Sequence, residues 1–293
     1  TTINTIIKYF ELEGYEIRLA APTGRAAKKM NSSTGIPAST IHRYLKWYKD
    51  SNEFVYNEFN KTHHKLIIVD EVSMIDIALL NGISSNVKLI LVGDIFQLPS
   101  VGPGLVLNDL IESDYFNYIP LNQIYRQSDN SYIPLLAKEI KNKDLSDLYL
   151  TKKDDYNFVK VDSSNIKSAI EQIAKFSLSK KLDERCVQVL APMYKGENGI
   201  DALNIILQNI YNPRKKNKEE IIYNDITYRE GDKVLQLVND LDNNVFNGDI
   251  GYITRITGNK IIIDFDGNQV EYEKKNLKDI KHAYAIRIHK SQG

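Results

Sequence analysis

Two adjacent carboxylates, Asp70 and Glu71, close the apolar run Leu66–Val69 in the stretch KLIIVDEVSMID. Four consecutive apolar residues read as a strand buried on both faces of a parallel sheet, which puts the acids at its C-terminal tip. Carboxylates beside a core are costly unless a cation, hydrogen bonds or open water compensate them. An acidic pair so placed suits Mg²⁺ beside a nucleoside triphosphate: one carboxylate supports the metal shell and the next polarises the attacking water. It equally suits the acidic start of a following helix, favoured by the helix dipole. The stretch LVGDIFQLPSVGPG shifts the balance, because it sets Asp94 and Gln97 on the loop after a neighbouring strand. A glutamine there can hydrogen-bond a terminal phosphate or the water in front of it. Gly102, Pro103 and Gly104 in the same stretch also read as plain turn chemistry. Arg126, in LNQIYRQ, is either a surface arginine or one that reaches across a cleft to a transferring phosphoryl group.

The elements that must position these residues alternate. An opening helix carries Ile3, Ile6, Ile7 and Phe10 on one face, Gly14 marks a turn, and Tyr15–Ala21 reads as a strand. Pro22–Met30 is a turn entering a helix, and Ser39–Trp47 a short helix capped by Ser39 or Thr40. Glu53–Phe59 reads as a small hairpin or an exposed insertion. The Asp70 strand, a helix near Ile75–Asn81 and a strand in Val87–Asp94 follow. Such alternation predicts a mostly parallel sheet with helices on both faces and a ligand crevice at the carboxyl ends of its strands. Three of those ends carry APTG, DE and GDIFQLP. Further on, Asn157–Val161, Ile166–Leu178, Cys186–Pro192 and the helical Gly199–Tyr211 suggest a second lobe. The charge run PRKKNKEE reads as a solvated linker or a nucleic-acid contact. Beyond it, short β-rich runs are separated by turn signals at Asn247–Gly248, Gly258–Asn259 and Asp266–Asn268, the pattern of a small antiparallel barrel.

At 293 residues, two or three structural units are expected. The 38 basic and 38 acidic residues cancel, so a polyanion partner requires a local basic face. The single cysteine, Cys186, excludes an internal disulfide, and no apolar run approaches the ~18 residues of a membrane helix. The chain reads as cytoplasmic, with no membrane partner.

Taken in order, APTGRAA, STIHRYL, LIIVDEVSM, LVGDIFQLPSVGPG, IYRQ, VLAPMYKG and YAIRIHKSQG resemble successive motifs of the RecD-like branch of superfamily 1 helicases, from about Leu19 to Gly293. The resemblance implies an α/β fold of two RecA-like lobes with parallel sheets, plus an SH3-like barrel inserted in the second lobe. The implied boundaries are 1–121 for the first lobe, with a short insertion near 48–62, then 122–211 with 281–293 for the second, and 212–280 for the barrel. The implied activity is ATP hydrolysis driving 5′-to-3′ movement on single-stranded DNA, in repair, recombination or conjugation complexes. With ATP as substrate and Mg²⁺ as cofactor, Asp70 serves the metal and Glu71 is the catalytic base. Gln97 senses the γ-phosphate, Arg126 is an arginine finger, and Asp94 and Gly293 complete the nucleotide set.

The same resemblance implies a DNA track over Pro22, Thr23, Gly24 and Arg25, with Lys28 and Lys29 close by, then Thr40, His42 and Met193, and finally His289, Lys290, Ser291 and Gln292. Without the flanking motif, Arg25, Lys28 and Lys29 read as a solvated helix face. Asn247 in NNVFNGDIG is either a DNA contact or a residue holding its own turn. No G-x-x-x-x-G-K-[ST] loop occurs in the chain, and the family would place one immediately before Thr1. A start inside a helix and an end at a strand tip read as a segment of a longer motor, expected to be catalytically inert alone. A non-hydrolysing single-stranded DNA-binding module, or the helicase part of a relaxase or nuclease complex, are the alternatives.

Overall fold

In the computed structural model, residues 2–48, 53–56, 59–60, 65–83, 87–121, 131–216, 218–240 and 242–291 are described. Helix α1 (Thr2–Leu12) leads to strand β1 (Ile17–Ala21), α2 (Gly24–Thr34), β2 (Ala38–Thr40) and the single-turn α3 (Ile41–Tyr44). A small antiparallel hairpin, β3 (Trp47–Tyr48) and β4 (Glu53–Phe54), precedes β5 (Leu66–Val69), α4 (Ile77–Ile83) and β6 (Lys88–Leu91). Four of these strands form a parallel sheet in the order β2-β1-β5-β6. All four β5 residues are fully buried because helices cover both faces. Ile67 and Val69 pack with Ile41, Leu45 and Leu79, whereas Ile68 packs with Ile7, Leu19 and Met30. The alternation of a strand's side chains explains that split.

Two local readings need correction. Ser39–Trp47 is not one helix: only Ile41–Tyr44 is helical, and Ala38–Thr40 is an edge strand in register with Leu19–Ala21. Pairing with β1 decides the matter, since three small residues carry no strand pattern of their own. The helix read near Ile75 begins at Ile77, after a 3₁₀ turn at Val72–Met74.

Residues 1–107 and 167–293 form one compact unit and residues 108–166 another. Helix α5 (Val106–Glu112) runs across that division, and α6 (Tyr132–Asn142) lies in the smaller unit. Asn157–Val161, apolar enough to suggest a sheet element, joins no strand. Helix α7 (Ile166–Ser179), β7 (Val189–Ala191) and α8 (Ile200–Tyr211) follow. Strand β7 pairs in parallel with the chain's last strand. Between them come the hairpin β8 (Glu220–Tyr223) and β9 (Ile226–Arg229), then β10 (Lys233–Gln236), β11 (Ile250–Thr257), β12 (Lys260–Phe265), β13 (Asn268–Glu273) and β14 (Ile280–His282), with β15 (Ala285–Arg287) returning to β7. Strands β13-β12-β11-β10-β14 make an antiparallel sheet around a core that includes Tyr228, Ile253, Ile263, Phe265 and Tyr272. Asn224 and Asp225 turn the β8–β9 hairpin with φ of 46° and 64°, the paired positive values of a two-residue hairpin turn.

The seam between this barrel and α8 is held by a buried carboxylate. Asp232, with no exposed surface, accepts from Gln208 Nε2 (2.7 Å), Asn212 Nδ2 (2.7 Å), the Arg229 backbone N–H (2.7 Å) and Tyr284 OH (2.9 Å). His282 Nε2 lies 3.1 Å away. Gln208 spends its two amide hydrogens on Thr227 O and Asp232, so His282 faces the carboxylate as a donor. Alongside, the buried Lys233 donates to Glu184 O (2.7 Å) and Val187 O (3.1 Å). No helix among the described residues is long and apolar enough to cross a membrane.

Two stability predictions follow from this packing. Burial pushes the Asp232 carboxyl up, but the hydrogen bonds and charge of His282 and the donors at Asn212 and Arg229 outweigh it and hold it below the ordinary 3.8. A depressed carboxylate stabilises the fold fully above its ordinary value, and that stabilisation fades as pH falls through the lower native value. Asp232→Ala, which strands its donors, should cost about 3–5 kcal/mol in urea unfolding at pH 7 and flatten the acid limb below about pH 4. Gly102 lies against Asp76, where an added methyl would sit 2.2 Å from Oδ2 of the carboxylate whose Oδ1 caps α4. Asp76 accepts from Leu79 N (2.9 Å), and Pro103 O accepts from Ile77 N (3.2 Å). Gly102→Ala should therefore lower stability by about 1–2 kcal/mol in a thermal melt.

Candidate nucleotide and nucleic-acid site

Three loops and one helix start leave the carboxyl edge of the first sheet side by side. Thr40 is in register with Ala21, Ala20 with Val69, and Val69 with Leu91, so the loops that open at Pro22, Asp70 and Val92 and the first residue of α3, Ile41, lie on one edge. The sequence points to the three loops; the start of α3 joins them because β2 is an edge strand.

At the centre is the acidic turn. Asp70 N–H donates to Ala20 O (3.0 Å) and prolongs the ladder, while its Oδ1 accepts from Glu71 N–H (2.9 Å). Glu71 has φ 54° and ψ 40°, the left-handed region that costs a non-glycine residue on the order of 1 kcal/mol. The conformation is sustained from both sides, since Val72 N–H donates to Val92 O (3.0 Å) and Met74 N–H to Glu71 O (3.1 Å). Gly93 permits this approach: a Cβ there would lie 3.1 and 3.2 Å from Val72 N and Ser73 N and 2.9 Å from Leu107 Cδ2. Backbone strain held in place by neighbours is a recurrent feature of functional sites.

Asp94 and Gln97 sit on the adjacent loop, both exposed. Asp94 Oδ1 accepts from Phe96 N–H (3.0 Å) and its carbonyl from Gln97 N–H (3.1 Å), so one carboxylate oxygen holds the turn that presents Gln97. Mg²⁺ keeps several waters and needs only one or two carboxylates beside substrate phosphates. Asp70 at the strand tip fits that demand as a single carboxylate, and Ser73 Oγ, in the turn that follows, is buried with no hydrogen-bond partner among the described residues. Among the described residues no cluster of three His, Cys, Asp or Glu gathers to hold a metal unaided. Arg126, Gln292 and Gly293 lie outside the described residues.

The residues implied for a DNA track divide between the two sheets. Thr23 caps α2, its Oγ1 accepting from Ala26 N–H (3.1 Å), and Thr40 caps α3 by accepting from Arg43 N–H (3.3 Å). A capping hydroxyl acts as acceptor, so its own O–H remains a donor for phosphate. Pro22 is half-buried, Gly24 buried and Arg25 exposed. His42 lies beside Phe54, with ring centroids 5.8 Å apart. Partial burial lowers its pKa against the opposing pull of Asp76, which favours the neutral ring. On the second sheet Ala191 is in register with Arg287, so Met193 (66% exposed) and the 3₁₀ turn Ile288–Ser291, which carries His289 and Lys290, leave the same edge. Ser291 Oγ donates to Ile288 O (2.7 Å) and closes that turn.

One juxtaposition was not foreseen. Lys290 Nζ donates to Asn247 Oδ1 (2.6 Å), which joins the closing motif to the barrel turn; burial, then the charge of Arg287, lowers the pKa of Lys290. Asn247 N–H donates to Asn239 Oδ1 (2.9 Å), which ties the turn to the barrel, while its side-chain oxygen accepts from Lys290. Phe246 beside it packs on Gly24. The sequence signal for that residue was an aromatic ring inside an otherwise polar turn.

The AAA domain family model matches residues 1–163, and that of the ATP-dependent RecD-like DNA helicase SH3 domain matches residues 203–265. The ATP-dependent RecD2 DNA helicase of Deinococcus radiodurans is 33% identical over all of this chain, which spans 40% of that protein. The RecBCD enzyme subunit RecD of Buchnera aphidicola is 28% identical over 95% of the chain, which spans 58% of it. The solved structure of Bacteroides Pif1 bound to ssDNA shares the fold, with a TM-score of 0.54 at 21% identity over 99% of this chain and 77% of that one. With more than half its length matched by that model, the chain belongs to the AAA domain family, and its residues 203–265 match the SH3 domain of RecD-like helicases.

Proposed function

We propose that this chain is the motor core of an ATP-dependent DNA helicase that hydrolyses ATP while moving 5′ to 3′ along single-stranded DNA. The observation that carries the reading is the acidic turn: Asp70 ends a fully buried strand, Glu71 is held in a left-handed conformation beside it, and the Gln97 loop stands next to both. In this reading Asp70 holds Mg²⁺, whose bound charge offsets that of the phosphates. Glu71 takes the proton of the attacking water, Gln97 orients that water or the terminal phosphate, and Arg126 stabilises the charge that develops on the transferring group. Asp94 and Gly293 belong to the same nucleotide set. Binding of the β- and γ-phosphates calls for a glycine-rich loop with a lysine, which residues 1–293 do not contain.

Single-stranded DNA would run over Pro22–Arg25, Thr40 and His42 on the first lobe and over Met193 and His289–Gln292 on the second. Hydroxyls, backbone N–H groups and basic side chains there suit phosphates, and Met193 suits a base. The division into lobes at 1–121 and 122–211 with 281–293, and a barrel at 212–280, is part of this proposal. Similarity to RecD subunits of RecBCD enzymes supports a place within a larger cytoplasmic DNA repair or recombination assembly.

Two experiments on the full-length protein test the reading. Glu71→Gln should leave ATP binding within a few-fold of normal and lower hydrolysis by about three orders of magnitude; near-normal turnover would remove Glu71 as the base. Thr23→Ala and His289→Ala should each weaken oligothymidylate binding by about tenfold at moderate salt, with Thr23→Ser close to wild type. Unchanged affinity in both alanine variants would move the track elsewhere.

A further inference from the structure

The turn Asn243–Asp249 of the barrel touches both halves of the proposed track. On the first lobe, Phe246 lies directly over Gly24 at the start of α2, so close that a Cβ on Gly24 would fall 2.2 Å from Phe246 Cγ. Around that contact the barrel presents acids to the basic face of α2. Asp266 Oδ2 lies 3.9 Å from Lys28 Nζ, and the charges of Lys28 and Arg25 both act on the buried Asp249, whose carboxylate also caps the turn by accepting from Phe246 N–H (2.8 Å). On the second lobe, Asn247 of the same turn accepts from Lys290. An aromatic ring flanked by carboxylates therefore rests on Gly24, and those carboxylates face Lys28 and Arg25. That is the chemistry a nucleotide would offer: a flat face with anions on either side.

We propose that the Phe246 turn is an internal stand-in for nucleic acid, a latch that covers the start of α2 and engages Lys290 in the DNA-free protein and lifts when single-stranded DNA takes its place. The inference rests on the DNA track proposed above. It is physically consistent because the grip of the turn on α2 is weak, although the barrel itself holds the turn. The Lys28–Asp266 pair is largely exposed, with side chains 45% and 87% accessible, where an ion pair contributes little. The ring is only half-buried. Gly24 has a specific role here: its missing side chain lets the ring, or a base in its stead, reach the helix backbone. Lifting the turn exposes the α2 end and frees the Lys290 ammonium for a phosphate in a single movement. The apparent DNA affinity of the wild-type protein is then its intrinsic affinity reduced by the unlatched fraction.

The test compares Phe246→Ala with wild type by fluorescence anisotropy of a labelled oligothymidylate. Loss of the ring should tighten binding by about tenfold. Unchanged or weaker binding, with wild type still binding, overturns the latch and makes Phe246 either a bystander or a base-stacking contact, while leaving the track intact. No binding by either protein removes the DNA reading and the latch with it. Should Phe246→Ala not fold, Phe246→Trp in a Trp47→Phe background reports the same event. Its emission should shift to the red as DNA displaces the indole from α2, and quenching without a shift would overturn the proposal.

Discussion

A buried carboxylate, Asp232, joins the barrel to the second lobe, and the placement of the barrel depends on it. Asp232 gathers donors from α8, from the residue that ends it, from β9, from β14 and from the approach to β15. A buried anion without partners costs several kcal/mol, so the elements that supply those donors are fixed in mutual position wherever the carboxylate stays charged. Asn204 of α8 reinforces the seam by donating to His282 O on β14 (3.3 Å). Such an arrangement gives little net stability over an apolar seam of equal volume, while removing one of its partners strands the others. The turn that carries Phe246 and Asn247 inherits its position from that seam, through Gly248 N–H to Gln236 O (2.9 Å) on β10, the strand that follows Asp232.

The first sheet is governed by a different constraint. Burying β5 on both faces leaves the strand ends of the sheet as the place where polar groups can emerge, and three loops and the start of α3 share that edge. The left-handed Glu71 and the close approach at Gly93 are consequences of turning a carboxylate pair sharply out of a core strand. Helix capping by Thr23 and Thr40 makes the same economy of parts: each hydroxyl stabilises its helix as an acceptor and keeps a donor for a ligand.

Much of this was legible in the sequence, and the reasons are specific. The run Leu66–Val69 announces a strand because only a doubly covered strand is apolar at every position. The barrel turns at Gly258 and Gly267 are legible because each glycine takes a positive φ, 59° and 90°. Strand β2 was missed because Ala38–Thr40 carries no pattern; its partner β1 supplies the structure. The Asn224–Asp225 hairpin had a signal, two turn-forming residues between apolar runs, but the preceding charge run drew the reading toward a linker. Asp232 had none, since Gly-Asp before a strand looks like any turn and only the folded chain brings Gln208, His282 and Tyr284 to it. Motif order located Asn247, yet its bond to Lys290 and the seat of Phe246 on Gly24 join segments far apart in the sequence, which local patterns do not encode.

The proposed function requires that the carboxyl edges of both parallel sheets line one path for single-stranded DNA. Photo-crosslinking of an oligothymidylate containing 4-thiothymidine, with peptides mapped by mass spectrometry, tests it directly. The account predicts crosslinks to residues 22–25 and 40–42 of the first sheet and to 192–194 and 288–291 of the second within one complex. Crosslinks confined to one sheet, or to residues 108–166, would contradict it.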